Sequence, residues 1–354
     1  MRRMRTVLAP IAALSLVLAA CGGDDSSSDD AAPDTTAAED ATEQADSGDD
    51  GDDAEAVEEA EVTTAGGGDL TIHMVTHSDD GPFWSVVKRG ADAAAADLGI
   101  EVVWLGSNND PETQVQMIEQ AISEGSSGIA SSLPSPDQLV GPLTAAVDGG
   151  IPVVTLNSGS NDYQAIGALT HVGQDEIIAG RGAGERFNDS GATKILCGMQ
   201  EQSNVALEER CAGLAETFSG EVIIEFVGLD ADQTGQQNNI KAAMEADPDI
   251  DGFMGTGPVI AMSGLNASKD IGRDATVAGF DLTPELLDAI EAGDVAFTVD
   301  QQQYLQGYMP VLLLFLNVTN QNTLGGGLPI LTGPGFVDPD NAGEVKALSA
   351  QGTR

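Results

Sequence analysis

From Leu70 onward the chain repeats one pattern: a short apolar, β-branched run, then an amphipathic stretch of about 12 to 16 residues. The runs at 70–75, 101–105 and 151–156 read as strands covered on both faces. In 83–98, Val87, Ala91, Ala94 and Leu98 recur at spacings of four, three and four, which is one face of a helix. Asp110-Pro111 and Thr283-Pro284 are helix starts: a capping oxygen, then a ring that needs no amide donor. Gly293 fits the stop of the helix begun at Pro284. Strand–helix alternation implies right-handed crossovers and parallel sheets with helices on both faces.

Two such series are present. One runs through 70–75, 101–105, 128–131 and 152–156, with a further extended segment at 166–172. The other starts at Lys194-Ile195-Leu196 and continues through 221–227, 251–255, 276–280 and 295–299. The expected fold class is therefore α/β, with two doubly wound parallel-sheet lobes. Open parallel sheets bind ligands beyond the carboxyl ends of their strands, so two facing sheets would present two rows of loops to one cleft.

Upstream, Arg2, Arg3 and Arg5 precede an apolar run from Val7 to Ala20, short for a bilayer span and of signal-peptide length. It ends in Leu18-Ala19-Ala20-Cys21, which resembles a bacterial lipobox. The resemblance implies a lipid anchor on Cys21 and an extracytoplasmic protein held at the outer face of the cell membrane. Residues 22–68 hold 17 Asp or Glu and no Lys or Arg. Such a segment cannot bury enough apolar surface to offset its ordering entropy, and it reads as an acidic disordered tether. The expected boundaries are 1–21 for the signal and 22–68 for the tether.

The remaining 286 residues carry 40 acidic against 11 basic side chains, a formal charge of −29. That balance argues against nucleic-acid binding, which needs clustered cations to neutralise phosphates. It also leaves the lipid as the one expected contact with a membrane. With Cys21 assigned to lipid, Cys197 and Cys211 are left over, and in an oxidising compartment their simplest state is a disulfide. The three histidines have no ligand-like spacing to these cysteines, so no metal is expected. No cofactor motif is present: there is no phosphate-binding glycine loop after a strand and no nucleophile elbow. The glycine-rich stretch 180–186 lies inside an expected helix. An enzyme is not the expected class.

Seven segments, in order, carry a family resemblance: "GPFWSVVKRGADAAAADLGIEVVWL", "IPVVTLNSG", "THVGQDEIIAGRGAGERF", "NVALEERCAGL", "ADPDIDGFMGTGP", "VAGFDLTPELLDAIEAGDV" and "FTVDQQQYLQGY". Over 69–310 the chain resembles the ribose- and galactose-type sugar-binding proteins, the type I periplasmic-binding fold. The resemblance implies a three-crossover hinge, with lobe one at 69–172 and 302–328 and lobe two at 173–301 and 329–354. It implies a monomer that captures a small sugar or polyol by closing its lobes and delivers it to the permease subunits of an ABC-type importer. The alternative role for this fold is a sensor that presents ligand for chemotaxis or quorum signalling.

Candidate ligand residues follow from the motifs. Phe83 and Trp84 offer an aromatic plane for the C–H face of a sugar ring; the alternative is that they cap the core beneath the first helix. Asn157 ends the fourth strand where the family places ligand groups, and as an alternative forms an ordinary Asx turn. Arg210 matches the family arginine that forks onto ring oxygens, against a surface arginine paired with Glu208 or Glu209. Asp281 ends a parallel strand and faces the cleft, while Thr283 already serves as the helix cap. Gln301, at the second crossover, offers both a donor and an acceptor. Thr256-Gly257-Pro258 replaces the Asn-Asp pair of many sugar binders. His77 is read as a solvated loop residue, with reach into the cleft from the first loop as the alternative, and His171 as a hinge or core hydrogen-bonding group. Loss of Arg210 or Asp281 is expected to weaken capture with little effect on ligand-free stability.

Overall fold

In the computed structural model, which describes residues 68–354, the alternation becomes two six-stranded sheets flanked by helices. The signal, the Cys21 lipobox and the acidic tether lie outside the described residues. The first sheet uses β1 (Thr71–Thr76), β2 (Glu101–Gly106), β3 (Gly128–Ser132), β4 (Val153–Leu156) and β5 (Thr170–Gln174). Between them run α1 (Gly81–Leu98), α2 (Pro111–Ser123) and α3 (Pro136–Asp148). The chain then crosses into α4 (Glu176–Ser190) and the second sheet: β6 (Lys194–Met199), β7 (Glu221–Phe226), β8 (Gly252–Gly255), β9 (Thr276–Phe280) and β10 (Phe297–Asp300). Its helices are α5 (Val205–Thr217), α6 (Gln233–Ala246), α7 (Pro258–Asp270) and α8 (Pro284–Glu291). A second crossing at Gln301 leads to α9 (Gln303–Asn320), which packs back on the first sheet.

The expected third crossing at 328 is corrected by the sheet order. β11 (Ile330–Gly333) pairs in parallel with β5, giving β11-β5-β4-β3-β1-β2, so 329–333 belong to the first lobe. The chain crosses at Gly333-Pro334, and β12 (Gly335–Val337) joins β10 as the antiparallel edge of β12-β10-β9-β8-β6-β7. α10 (Ala342–Ser349) then packs on the second lobe. A four-residue strand cannot be assigned to one of two like sheets by its own pattern; pairing with β5 decides it.

Each sheet buries both faces. In the first, Ile72 and Met74 meet α1 and α9, while Val75 and Ile129 meet α2 and α3. In the second, α4 and α5 cover one face and α6, α7, α8 and α10 the other. The capping expectations hold: Asp110 accepts from the amides of Glu112 and Thr113, and Thr283 from that of Leu286. Cys197 of β6 and Cys211 of α5 form a disulfide, with Cα atoms 5.9 Å apart.

The glycines of 180–186 serve packing. A Cβ on Gly180 of α4 would strike the backbone carbonyl of Arg210, so the missing side chain lets α4 and α5 touch. No helix among the described residues is long and apolar enough to cross a membrane.

Candidate functional site

The carboxyl ends of both sheets open on one cavity of about 500 Å³, and all six candidate residues line it. From the first lobe come Phe83 and Trp84, on the first turn of α1, and Asn157, just past β4. From the second come Arg210 on α5 and Asp281 just past β9, with Gln301 at the crossing. Trp84 is wedged edge-on among His77, Phe83 and Trp104, at centroid distances of 4.9, 5.0 and 6.3 Å. Trp84 therefore both caps the core and faces the cavity, and the two readings of this residue are not exclusive.

Arg210 is not a surface arginine. It is buried, donating Nε and Nη2 to the carboxylate of Glu176 at 2.7 and 3.1 Å, and Nη1 to the Thr256 carbonyl at 2.7 Å. Its guanidinium carbon lies 4.5 Å from the centre of the Phe280 ring. Burial, the largest single influence, would depress its pKa, but the carboxylates of Glu176, Asp281 and Glu201 together hold it above the usual value.

Asp281 stands 3.9 Å from Arg210 Nη1 and accepts a 2.7 Å hydrogen bond from Gln301 Nε2. Burial is the dominant influence and pushes its carboxyl up to about 7, against the opposing pull of Arg210 and Gln301. Asn157 and Asp281 occupy matching places past the fourth strand of each series, and both have left-handed backbones, with φ of 61° and 66°. That conformation costs most residues roughly 1–2 kcal/mol and is cheapest for Asn and Asp. The same local strain at equivalent points of two lobes aims two polar side chains at one cavity.

The cavity wall also includes residues outside the six candidates. His77 is buried rather than solvated and lines the cavity, its Nδ1 sharing a 2.9 Å hydrogen bond with Ser132 Oγ. Burial lowers its pKa, so the imidazole is neutral at pH 7. Asn204, the N-cap of α5, has Nδ2 2.7 Å from Glu201 and 3.4 Å from His77 Nε2, while Ser158 Oγ lies 3.0 Å from its Oδ1. Its place as the cap ahead of "VALEERCAG" was the available signal. Gln200 also lines the cavity, and Thr256 turns its hydroxyl to Gln200 Oε1 at 2.6 Å. Asp230 also lines the cavity, its carboxyl raised to about 6 by burial first and by Glu201 and Asp80 next. His171 is in the core, on Thr155 Oγ1 at 2.9 Å.

Away from the crossings the lobes touch. Val205 N–H donates to Pro134 O at 3.1 Å, Ser135 Oγ to Ser203 O at 2.8 Å, and Asn161 Nδ2 to Glu209 Oε1 at 2.6 Å. The cleft is thus bounded by the hinge on one side and by these contacts on the other. Among the described residues no group of three or more His, Cys, Asp or Glu is placed to hold a metal ion.

A two-lobed α/β fold with a polar, aromatic-edged cavity between hinged sheets defines a capture protein. A sequence profile of the periplasmic binding protein domain matches residues 72–322. The solved carbohydrate transporter of Acidothermus cellulolyticus 11B, in complex with myo-inositol, is 38% identical with a TM-score of 0.78, covering 80% of this chain and 99% of that one. The xylose/arabinose-binding protein of Sulfolobus acidocaldarius is 28% identical over 76% of this chain and 71% of its own length. The ribose import binding protein of Haemophilus influenzae is 26% identical over 71% of this chain and 86% of its own. The chain belongs to the periplasmic binding protein family, as a solute-binding protein of the sugar-importer class and not an enzyme.

Proposed function

We propose that this chain captures a neutral cyclic polyol or monosaccharide between its lobes and hands it to an ABC-type importer from a lipid anchor at Cys21. One observation carries the ligand class. One cavity is lined both by an aromatic pair, Phe83 and Trp84, and by the planar polar groups of Asn157, Arg210, Asp281 and Gln301. A ring with one C–H face and a rim of hydroxyls satisfies both sides at once. The likeness to the myo-inositol-bound transporter supports placing cyclitols beside pentoses among the candidates.

Thermal unfolding with a panel of myo-inositol, D-xylose, D-ribose and D-galactose tests this reading. A ligand at a hundred times its dissociation constant adds about 2.7 kcal/mol of stability. Stabilisation by amino acids or nucleosides, with none by any neutral sugar or polyol, would overturn it.

The anchor rests on the lipobox and the acidic spacer behind it. Cys21→Ser is expected to move the protein from the membrane fraction to the soluble one. Unchanged membrane retention would refute the anchor without touching the ligand reading. The same view has the protein working as a monomer, since one chain supplies both walls of the cavity.

A further inference from the structure

The hydrogen bonds that leave Asp281 continue beyond the cavity wall. Gln301, which donates to Asp281, accepts at Oε1 from Gln306 Nε2 at 2.8 Å. Gln306 Nε2 also lies 3.2 Å from Thr332 Oγ1 on β11. Gln302, held at φ 55°, donates Nε2 to Thr332 O at 2.7 Å and its backbone N–H to Asp300 Oδ1 at 2.8 Å. Asp300 is fully buried, and its Oδ2 accepts from Arg354 Nε at 2.7 Å. One connected set of hydrogen bonds, running through side chains and through the backbone of Thr332 and Gln302, therefore joins the cavity-lining carboxylate, the second and third crossings, and the segment after α10.

That segment touches both lobes. It follows α10, which is packed on the second lobe, yet its Gln351 carbonyl accepts from Arg89 Nη1 of α1, on the first, at 2.9 Å. Among the described residues Arg354 is the one cation within ion-pair distance of Asp300. A buried carboxylate stripped of its partner is strongly disfavoured, so Asp300 needs Arg354 in place for as long as it is charged. Lobe motion in hinged proteins is absorbed by a few residues at the crossings, and Asp300 to Gln302 are such residues here.

We infer that Arg354 is a positioning residue for capture: with Gln351 it clasps the back of the hinge, tying Asp300 to α1 of the first lobe and holding Gln301 against Asp281. The ligand side of this statement rests on the proposed sugar capture; the clasp itself does not. Breaking it opens the ligand-free protein and weakens the captured state.

The test uses the full chain with fluorophores on exposed Gln138 of α3 and exposed Asn238 of α6, and reads interlobe distance and affinity for the best probe of the sugar panel. Arg354→Ala is expected to raise the open fraction without ligand and to weaken probe binding about tenfold. Arg354→Lys should retain most of the closed fraction. Asp300→Asn added to Arg354→Ala should recover folding stability, because the orphaned charge is gone, while the open fraction stays raised and binding stays weakened, because the clasp is still broken. Wild-type interlobe distances and affinity in Arg354→Ala, whatever its melting temperature, would overturn the inference; so would a double variant that returns to wild-type distances and affinity without the clasp. Should Arg354→Ala fail to fold, Arg89→Ala breaks the same clasp at an exposed residue, and unchanged distances there would overturn it. If no sugar binds the wild-type protein, the ligand-free distances still decide the clasp.

Discussion

Replacing Arg210 by alanine is expected to lower the unfolding free energy by about 3–5 kcal/mol and to abolish measurable capture, because it strands a buried charge. Glu176 is 1% exposed and receives two hydrogen bonds from Arg210. One further donor, Gln174 Nε2 at 2.8 Å, remains after the substitution and does not neutralise it. This expected loss departs from the expectation from sequence, in which Arg210 was a ligand group whose removal had little effect on ligand-free stability, because the sequence did not show its pairing with buried Glu176. Urea unfolding checks the first part and calorimetry the second. Arg210→Ala combined with Glu176→Gln should recover most of the stability and none of the binding. A single variant as stable as wild type would show that the Arg210–Glu176 pair contributes nothing to folding.

Asp281→Asn is expected to stabilise the ligand-free protein above pH 7 while weakening capture ten- to a hundredfold. Asparagine keeps the left-handed backbone that alanine would strain. Burial raises the folded carboxyl from 3.8 to about 7, so between those values the folded state holds a proton that the unfolded state has shed. Stability contributed by this group is therefore full below pH 4 and lost as pH rises through 7. At about 1.4 kcal/mol per pH unit the loss is on the order of 4 kcal/mol. The amide does not titrate, and the slope of stability against pH between 4 and 7 should flatten in the variant.

Capture runs the other way. A hydroxyl donating to Asp281 favours the charged form, so affinity should rise with pH up to and through 7, with a proton released on binding below it. Calorimetry at pH 5.5, 7 and 8.5, in buffers of different ionisation enthalpy, measures both. Affinity independent of pH, with no proton release, would remove Asp281 from the ligand shell. Together the two substitutions separate a group whose partner is structural, Glu176, from one whose remaining partner is the ligand.

The legible part of this protein lies where local chemistry is sufficient. Alternating strand and helix periods need only neighbours in sequence, and so do Asp110 and Thr283 as caps. That Asn157, Asp281 and Gln301 would line a cavity follows from their places just past strand ends, where parallel sheets open their cleft, and Phe83 and Trp84 open the helix after β1. Arg210, in the middle of α5, was named from the family motif alone. What stayed hidden depends on residues far apart in the chain. Arg210 meets Glu176, 34 positions away, only because Gly180 lets α4 lie against α5. His77 looks like a loop histidine until Trp84 and Asn204 close over it from two lobes.

By itself, the sequence determined the α/β class and the two series of strands, since period and capping act locally, while the crossing at Gln301 and the residues of the cleft came from the family resemblance of its motifs. Tertiary structure alone decided that β11 joins the first sheet, that Asn157 and Asp281 take left-handed backbones, and that Arg210 is neutralised by Glu176 and Asp300 by Arg354. Those outcomes turn on burial and on charge pairing across sequence distance, and a buried charge takes whichever partner the packed fold brings within reach.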